Sequence, residues 1–224
     1  MVALREKGFS PNYRGNPDIP RNRSADIPPD QNCSIWLVGL SPTLDHHELL
    51  SGIRNVGRVY SVHINPPKLD QGGQGHLGSA AKVVFFEREA AETFYERFAH
   101  QGFWTPQNPD IRARVTWNRN MAAPFNVGGA LSRVLLVRGP PAIVNWAFLR
   151  PYFESKFVFQ IDELRHHGPI NGGAGVLLEI RFGSYRCQAQ SAKGALDKEY
   201  KWAGVVCEYG RDPCAPRFDL LAAP

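Results

Sequence analysis

The feature that most constrains the fold is a pattern that occurs twice. Residues 34–40 (SIWLVGL) form an apolar run closed by Ser41-Pro42, and residues 133–139 (RVLLVRG) form another closed by Pro140-Pro141. Aligning Ile35 with Val134 gives an offset of 99 residues, and aligning Phe85 with Phe182 in later runs gives 97. Spacing kept this closely marks a diverged duplication. The 224-residue chain therefore reads as two units, each of about one hundred residues, the size of a small domain.

Strands alternate with helices in each unit. In the first, Asp45 followed by Glu48 has the form of a capping box, and Leu49, Ile53 and Val56 mark one apolar helix face up to Gly57. Residues 59–64 read as a second strand, and the loop Gly72-Gly73-Gln74-Gly75 leads to a third over 79–86. A helix with Ala91, Phe94 or Tyr95, and Phe98 on one side follows, and 111–117 alternates as a fourth strand. The second unit repeats this order: helix 145–157, strand 159–164, a loop through Gly172-Gly173, strand 176–182, helix 185–196 and strand 205–209. Pro151 removes a backbone donor inside its first helix and crowds the preceding turn, which predicts a kink or a late start. Residues 1–32, rich in proline and without apolar periodicity, read as a flexible arm; 119–132 read as a linker and 216–224 as a tail.

Composition narrows the class. With 43% hydrophobic residues the chain can build packed cores, so disorder throughout is excluded. The 26 basic residues exceed the 21 acidic ones, and the resulting charge of +5 suits a polyanionic partner without requiring one. No stretch approaches the length of about eighteen apolar residues that a membrane span needs. The first thirty residues are interrupted by Arg5, Arg14, Pro17, Pro20 and Arg21 where a signal segment would be apolar. An intracellular protein, nuclear or cytoplasmic and without membrane contact, is expected. Cys33, Cys187, Cys207 and Cys214 form no C-x-x-C pair and read as reduced structural thiols, so neither a metal site nor a cofactor is expected.

The order βαββαβ, present twice, resembles tandem RNA-recognition motifs (RRMs) over about residues 33–215. The run Val83-Val84-Phe85 passing into Phe86-Glu87-Arg88-Glu89-Ala90-Ala91 is similar to the family's third strand entering its second helix. The runs 32–37 and 181–190 also resemble tandem-RRM proteins of filamentous fungi, a likeness that bears on architecture and not on activity. The resemblance implies an α+β chain of two RRM-like, ferredoxin-like domains at 33–118 and 133–215. Each would be a four-stranded antiparallel sheet with two helices on one face. The other face would meet single-stranded nucleic acid, with aromatics of the first and third strands stacking on bases.

Alternation along a strand then selects the site residues. Ile35 and Leu37 suit the core, leaving Trp36 and Val38 on the opposite face, where the family has its first-strand aromatic. The third strand has two possible registers. One would bury Lys82 unpaired at a cost of several kcal/mol; the other puts Ala81, Val83 and Phe85 inward and Ala80, Lys82 and Val84 outward. The second register leaves Ala80 and Lys82 where the family's third-strand aromatics stand. At roughly 1–3 kcal/mol per stacked base, this loss implies modest affinity. Arg112 and Arg114 on the fourth strand, with His63 on the second, join Trp36, Val38 and Lys82 as candidate RNA contacts.

In the second unit Leu135 is expected at the first-strand aromatic position, with Leu177, Glu179 and Arg181 outward. A carboxylate on that face repels phosphates, so this copy reads as a pseudo-RRM suited to packing, either against the first copy or against a protein partner. Residues 33–118 balance eight basic against eight acidic residues, whereas 133–224 carry twelve and nine, so the more RRM-like unit has no net basic field.

No catalytic constellation appears, and an enzyme is not expected. His47-Glu48 lacks the second histidine of a metalloprotease motif, and the glycine loops lack the Lys-Ser/Thr of a phosphate-binding loop. Two readings stay open: single-stranded RNA binding by the first sheet, or a protein-interaction module of two pseudo-RRMs without direct RNA readout.

Overall fold

The computed structural model describes residues 27–69, 75–125 and 131–216. Most of the expected arm, the glycine loop through Gly72-Gly73-Gln74, the middle of the linker and the end of the tail lie outside the described residues.

The first sheet is built from β1 (Ser34–Leu40), β2 (Val59–Asn65), β5 (Ser79–Phe85), β6 (Phe103–Thr105) and β7 (Asn108–Trp117), in the order β2-β5-β1-β7-β6. A two-stranded ribbon of β3 (Lys68–Leu69) and β4 (Gly75–His76) extends from it. The second sheet holds β8 (Val134–Gly139), β9 (Ile161–Ile170), β10 (Gly175–Phe182) and β11 (Val206–Tyr209) in the order β9-β10-β8-β11. Matched strand for strand, β9-β10-β8-β11 repeats β2-β5-β1-β7. The duplication is therefore real in topology, and every pairing within the two sheets is antiparallel. The first sheet carries one strand more than the expected four, the short β6 at its edge.

Local chemistry explains the helices. In α1 (His46–Ser51), Asp45 caps the first turn by accepting from the Glu48 amide at 2.7 Å. Glu48 does not complete the box. Its carboxylate turns to the β6–β7 hairpin and accepts from Thr105 Oγ1 and Asn108 Nδ2, both at 2.7 Å, which fixes the extra strand. Helix α2 (Arg88–Phe98) buries Ala90, Ala91, Phe94 and Phe98 against β5 and β6, where Phe94 meets Phe85 and Phe103. In α3 (Trp146–Glu154) the Asn145 side chain accepts from the Phe148 amide, and Pro151 sits inside a helix that ends three residues later. The helix starts at Trp146, so the proline shortens its end and leaves its beginning in place. Helix α4 (Gln190–Glu199) closes the second core through Ala192 and Leu196.

The two halves meet across a buried ionic junction. Arg133 is fully buried; its guanidinium donates to Asp212 Oδ1 at 3.1 Å, to Asp162 Oδ2 at 2.7 Å and to the Phe182 carbonyl at 2.9 Å. These carboxylates reach into the first half: Asp162 Oδ1 bonds His47 Nδ1 at 2.9 Å, and Asp212 Oδ2 accepts from the Val59 amide at 2.9 Å. The segment after β11 follows the same route. The Cys214 carbonyl accepts from the amides of Val56 and Gly57, and its side chain lies in the core of the first half. Ser184 adds a further tie, accepting from the Val62 amide at 2.9 Å and donating to the Val62 carbonyl at 3.3 Å. Those two groups lie on the outer edge of β2, so the second half covers backbone that an edge strand would otherwise leave unpaired.

Candidate nucleic-acid interface

On the first sheet, Ala81, Val83 and Phe85 are fully buried, so β5 adopts the register that keeps Lys82 out of the core. The pairing aligns residues across four strands. Thr116, Trp36, Lys82 and His63 form one row, and Arg114, Val38, Ala80 and Asn65 form the next. Trp36, Val38 and Lys82 are half-buried; His63 and Arg114 are exposed. Cross-strand neighbours lie about 5 Å apart, so an indole, an ammonium and an imidazole present a continuous strip. Among the described residues no carboxylate pairs with Lys82, His63 or Arg114, and no ring stacks on Trp36. Burial holds the Lys82 ammonium below the usual lysine range, and the Arg186 charge lowers it further.

The structure separates Arg112 from this strip. It lies beyond the stretch of β7 paired with β1; its guanidinium sits 4.5 Å from the centre of the Trp104 ring and bonds the Pro109 carbonyl. Trp104 belongs to the unforeseen β6, so nothing near Arg112 in the sequence signalled this partner.

The linker crosses one end of the same face. The Cys33 amide donates to the Ala122 carbonyl at 2.7 Å, and the Phe125 amide to the Phe86 carbonyl at 2.9 Å. Phe125 then packs with Tyr60, Phe86 and Tyr185, with ring centres 5.0 to 6.2 Å apart, in a cluster that joins both halves and the linker. Val84 is buried beneath this cover. Between linker and sheet remains a cleft of about 250 Å³ lined by Lys82 of the first sheet and Arg186 of the second half. Arg186 lies far from Lys82 in the sequence, and only the junction between the halves brings the two to one cleft.

The second sheet presents a different surface. Leu135, expected outward, is fully buried with Val137 in the second core, and Leu136 is the outward residue. A shift of one residue exchanges strand faces, and the pairing of Leu135 with Ile180 shows that Ile35 corresponds to Leu135, not Val134. Leu177, Glu179 and Arg181 lie on the outer face, opposite Leu178, Ile180 and Phe182 of the core, but Glu179 and Arg181 are themselves buried, each 9% exposed. Their charges are mutually engaged. Glu179 bonds His167 Nε2 at 2.8 Å and Arg181 Nε at 2.5 Å, Arg181 reaches Glu163 at 2.6 Å, and Glu163 accepts from Arg165 at 2.8 Å. Burial raises the Glu179 carboxyl, but the bonds from His167 and Arg181 outweigh it and hold the group below its ordinary range.

Strand order, register and helix placement define both halves as RRM-like βαββαβ units of the α+β class. No family model matches the chain, and no curated protein matches it. Among solved structures the chain is similar to RNA recognition domains 1 and 2 of Sex-lethal from Drosophila melanogaster, at 15% identity over 80% of this chain and 100% of that chain, with a TM-score of 0.28. It is similar to the first two RRM domains of yeast poly(U)-binding protein at 12% identity, 80% and 99% coverage and a TM-score of 0.31. It also resembles the three N-terminal RNA-binding domains of a yeast splicing factor, at 15% identity, 80% and 67% coverage and a TM-score of 0.28. Likeness at this level carries no argument about function. Among the described residues no helix is long and apolar enough to cross a membrane, and no cluster of His, Cys, Asp and Glu could hold a metal ion.

Proposed function

We propose that this chain binds single-stranded RNA with modest affinity on the outer face of its first sheet, an intracellular role without catalysis. The observation that carries the reading is the row of Trp36, Lys82 and His63 flanked by Arg114, a stacking ring beside cations that no described carboxylate neutralises. The second sheet supplies the contrast, because its arginines and glutamates already bond one another. A base stacks on Trp36 and its backbone phosphates meet Lys82 and Arg114, a combination that tolerates many sequences. Stacking on one ring where the family offers three keeps affinity modest.

The outer face of the second sheet supports a protein contact beside this role. Leu136 and Leu177, with Ile170, line a cleft of about 390 Å³ bordered by Arg138 and Glu208. Glu179 and Arg181 belong to the same face, buried and bonded to each other.

The test is binding of the full chain and of Trp36→Ala to a randomised single-stranded RNA pool near physiological salt, about 0.15 M. Binding that falls at least about tenfold in the variant supports the first sheet as the reader, a loss matching about 1–3 kcal/mol for one stacked base. No retention of RNA by the unmodified chain refutes the reading and leaves the protein-interaction module.

A further inference from the structure

The loop between β10 and α4 is built more rigidly than a connection requires. Gly183 lies so close to α1 that a Cβ there would sit 2.7 Å from the His46 ring. Ser184 is bonded twice to Val62 on β2. On the other flank, the Gln188 side chain accepts from the Gln160 amide and donates to its side chain at 2.7 Å. Between these anchors, Arg186 at φ −59°, ψ 129° and Cys187 at φ 60°, ψ −2° make a type II turn. Its second corner ordinarily takes glycine, because the left-handed conformation costs other residues roughly 1–2 kcal/mol. Strain of this kind persists only where the surroundings over-determine it, and it clusters at functional positions.

The turn delivers Arg186 to the corner, exposed, on the rim of the cleft that also holds Lys82 of the first sheet. Neither cation has a carboxylate partner among the described residues. Two like charges facing one small cleft repel, and an anion between them removes that penalty. Tyr60 and Phe125 line the same cleft. Lys82 neighbours Trp36 across the strands, so a strand stacked on that ring passes over the cleft mouth.

From this arrangement we infer that the second domain completes the RNA site of the first: Arg186 and Lys82 together bind one phosphate group of a single-stranded nucleic acid beneath the linker. The inference rests on the reading of the first sheet as the RNA-binding face. It gives the second domain, whose own sheet is internally neutralised, a direct part in binding through one residue. The phosphate is either an internal phosphodiester or a terminal 5′-phosphate.

The experiment compares the full chain with Arg186→Gln, Arg186→Lys and Trp36→Ala on labelled RNA of about a dozen nucleotides, with 5′-phosphate or 5′-hydroxyl ends, across a salt series. Arg186→Gln is expected to weaken binding about fivefold at low salt and to reduce the slope of log K against log salt by about 0.7, the value for one single-strand phosphate. Arg186→Lys should keep most of the slope, which separates lost charge from lost structure. An effect of Arg186→Gln seen only with 5′-phosphate ends assigns a terminal phosphate, and an effect with both ends assigns an internal one. Unchanged affinity and slope in Arg186→Gln, together with collapse in Trp36→Ala, overturns the shared site while leaving the first sheet as reader. Absence of binding by the unmodified chain overturns both.

Discussion

Substitution Asp212→Ala strikes the junction that holds Arg186 over the first sheet. Arg133 and Asp212 are each fully buried, and the aspartate accepts three hydrogen bonds: from Arg133, from the Cys214 amide at 3.0 Å and from the Val59 amide at 2.9 Å. Alanine leaves Arg133 with Asp162 and one carbonyl, so a guanidinium paired on two sides becomes paired on one. Removing one partner of a buried ion pair costs about 3–5 kcal/mol, because the remaining charge stays desolvated. Asp212→Asn keeps the side chain's size and some acceptor capacity but loses the charge, and should fall between alanine and the parent. Urea unfolding followed by tryptophan fluorescence and far-ultraviolet circular dichroism reads the effect. At a slope near 3 kcal/mol per molar urea, the midpoint should drop by about 1–2 M. The two probes should also separate, because the second half is released before both cores melt. A loss under about 1 kcal/mol with coincident transitions would show that Arg133 is adequately neutralised by Asp162 alone, and the account of the junction would be wrong.

Two further predictions test register and pH dependence. Leu135→Ala should cost about 2–5 kcal/mol as a core truncation, while Leu136→Ala on the outer face should cost about 1 kcal/mol; equal losses would contradict the observed face assignment. His46 lies under Gly183, and burial lowers its pKa from the ordinary 6.5 more than the nearby Asp45 charge raises it. A base whose folded pKa is depressed binds its proton more readily in the unfolded chain. It therefore leaves stability untouched well above pH 6.5 and destabilises progressively as pH falls below that value. The parent should lose more stability than His46→Gln between about pH 7 and pH 5, and parallel losses would rule out His46 as the cause.

Much of the fold was legible because it depends on neighbours in the chain or on a strong local prohibition. Asp45 capping the Glu48 amide is a three-residue interaction. The register of β5 followed from the single requirement that Lys82 not be buried, and Trp36 fell on the open face by alternation. The first strand of the second half carried no such marker. Residues 134–137 are all apolar, so either face could have been the core, and aligning Ile35 with Val134 sent Leu135 to the wrong side. Only pairing with the charged alternation of β10 decided the matter. Arg112 was placed on the right face, but its position beyond the β1 pairing and over Trp104 depends on a three-residue strand too short to carry a periodic signal.

The sequence by itself determined two βαββαβ units, the order of their principal elements, the face on which Trp36 and Lys82 lie, and the presence of a carboxylate on the outer face of the second sheet. Tertiary structure alone decided how the units are joined. Arg133 finds Asp162 and Asp212 across 29 and 79 residues, Ser184 closes the edge of β2 across 122, and Cys214 enters the core of the first unit. Periodicity reports which side of an element is apolar, because that preference acts over three or four residues. It carries no record of which distant charge will neutralise a buried guanidinium, since that pairing is selected only when packing removes both groups from water.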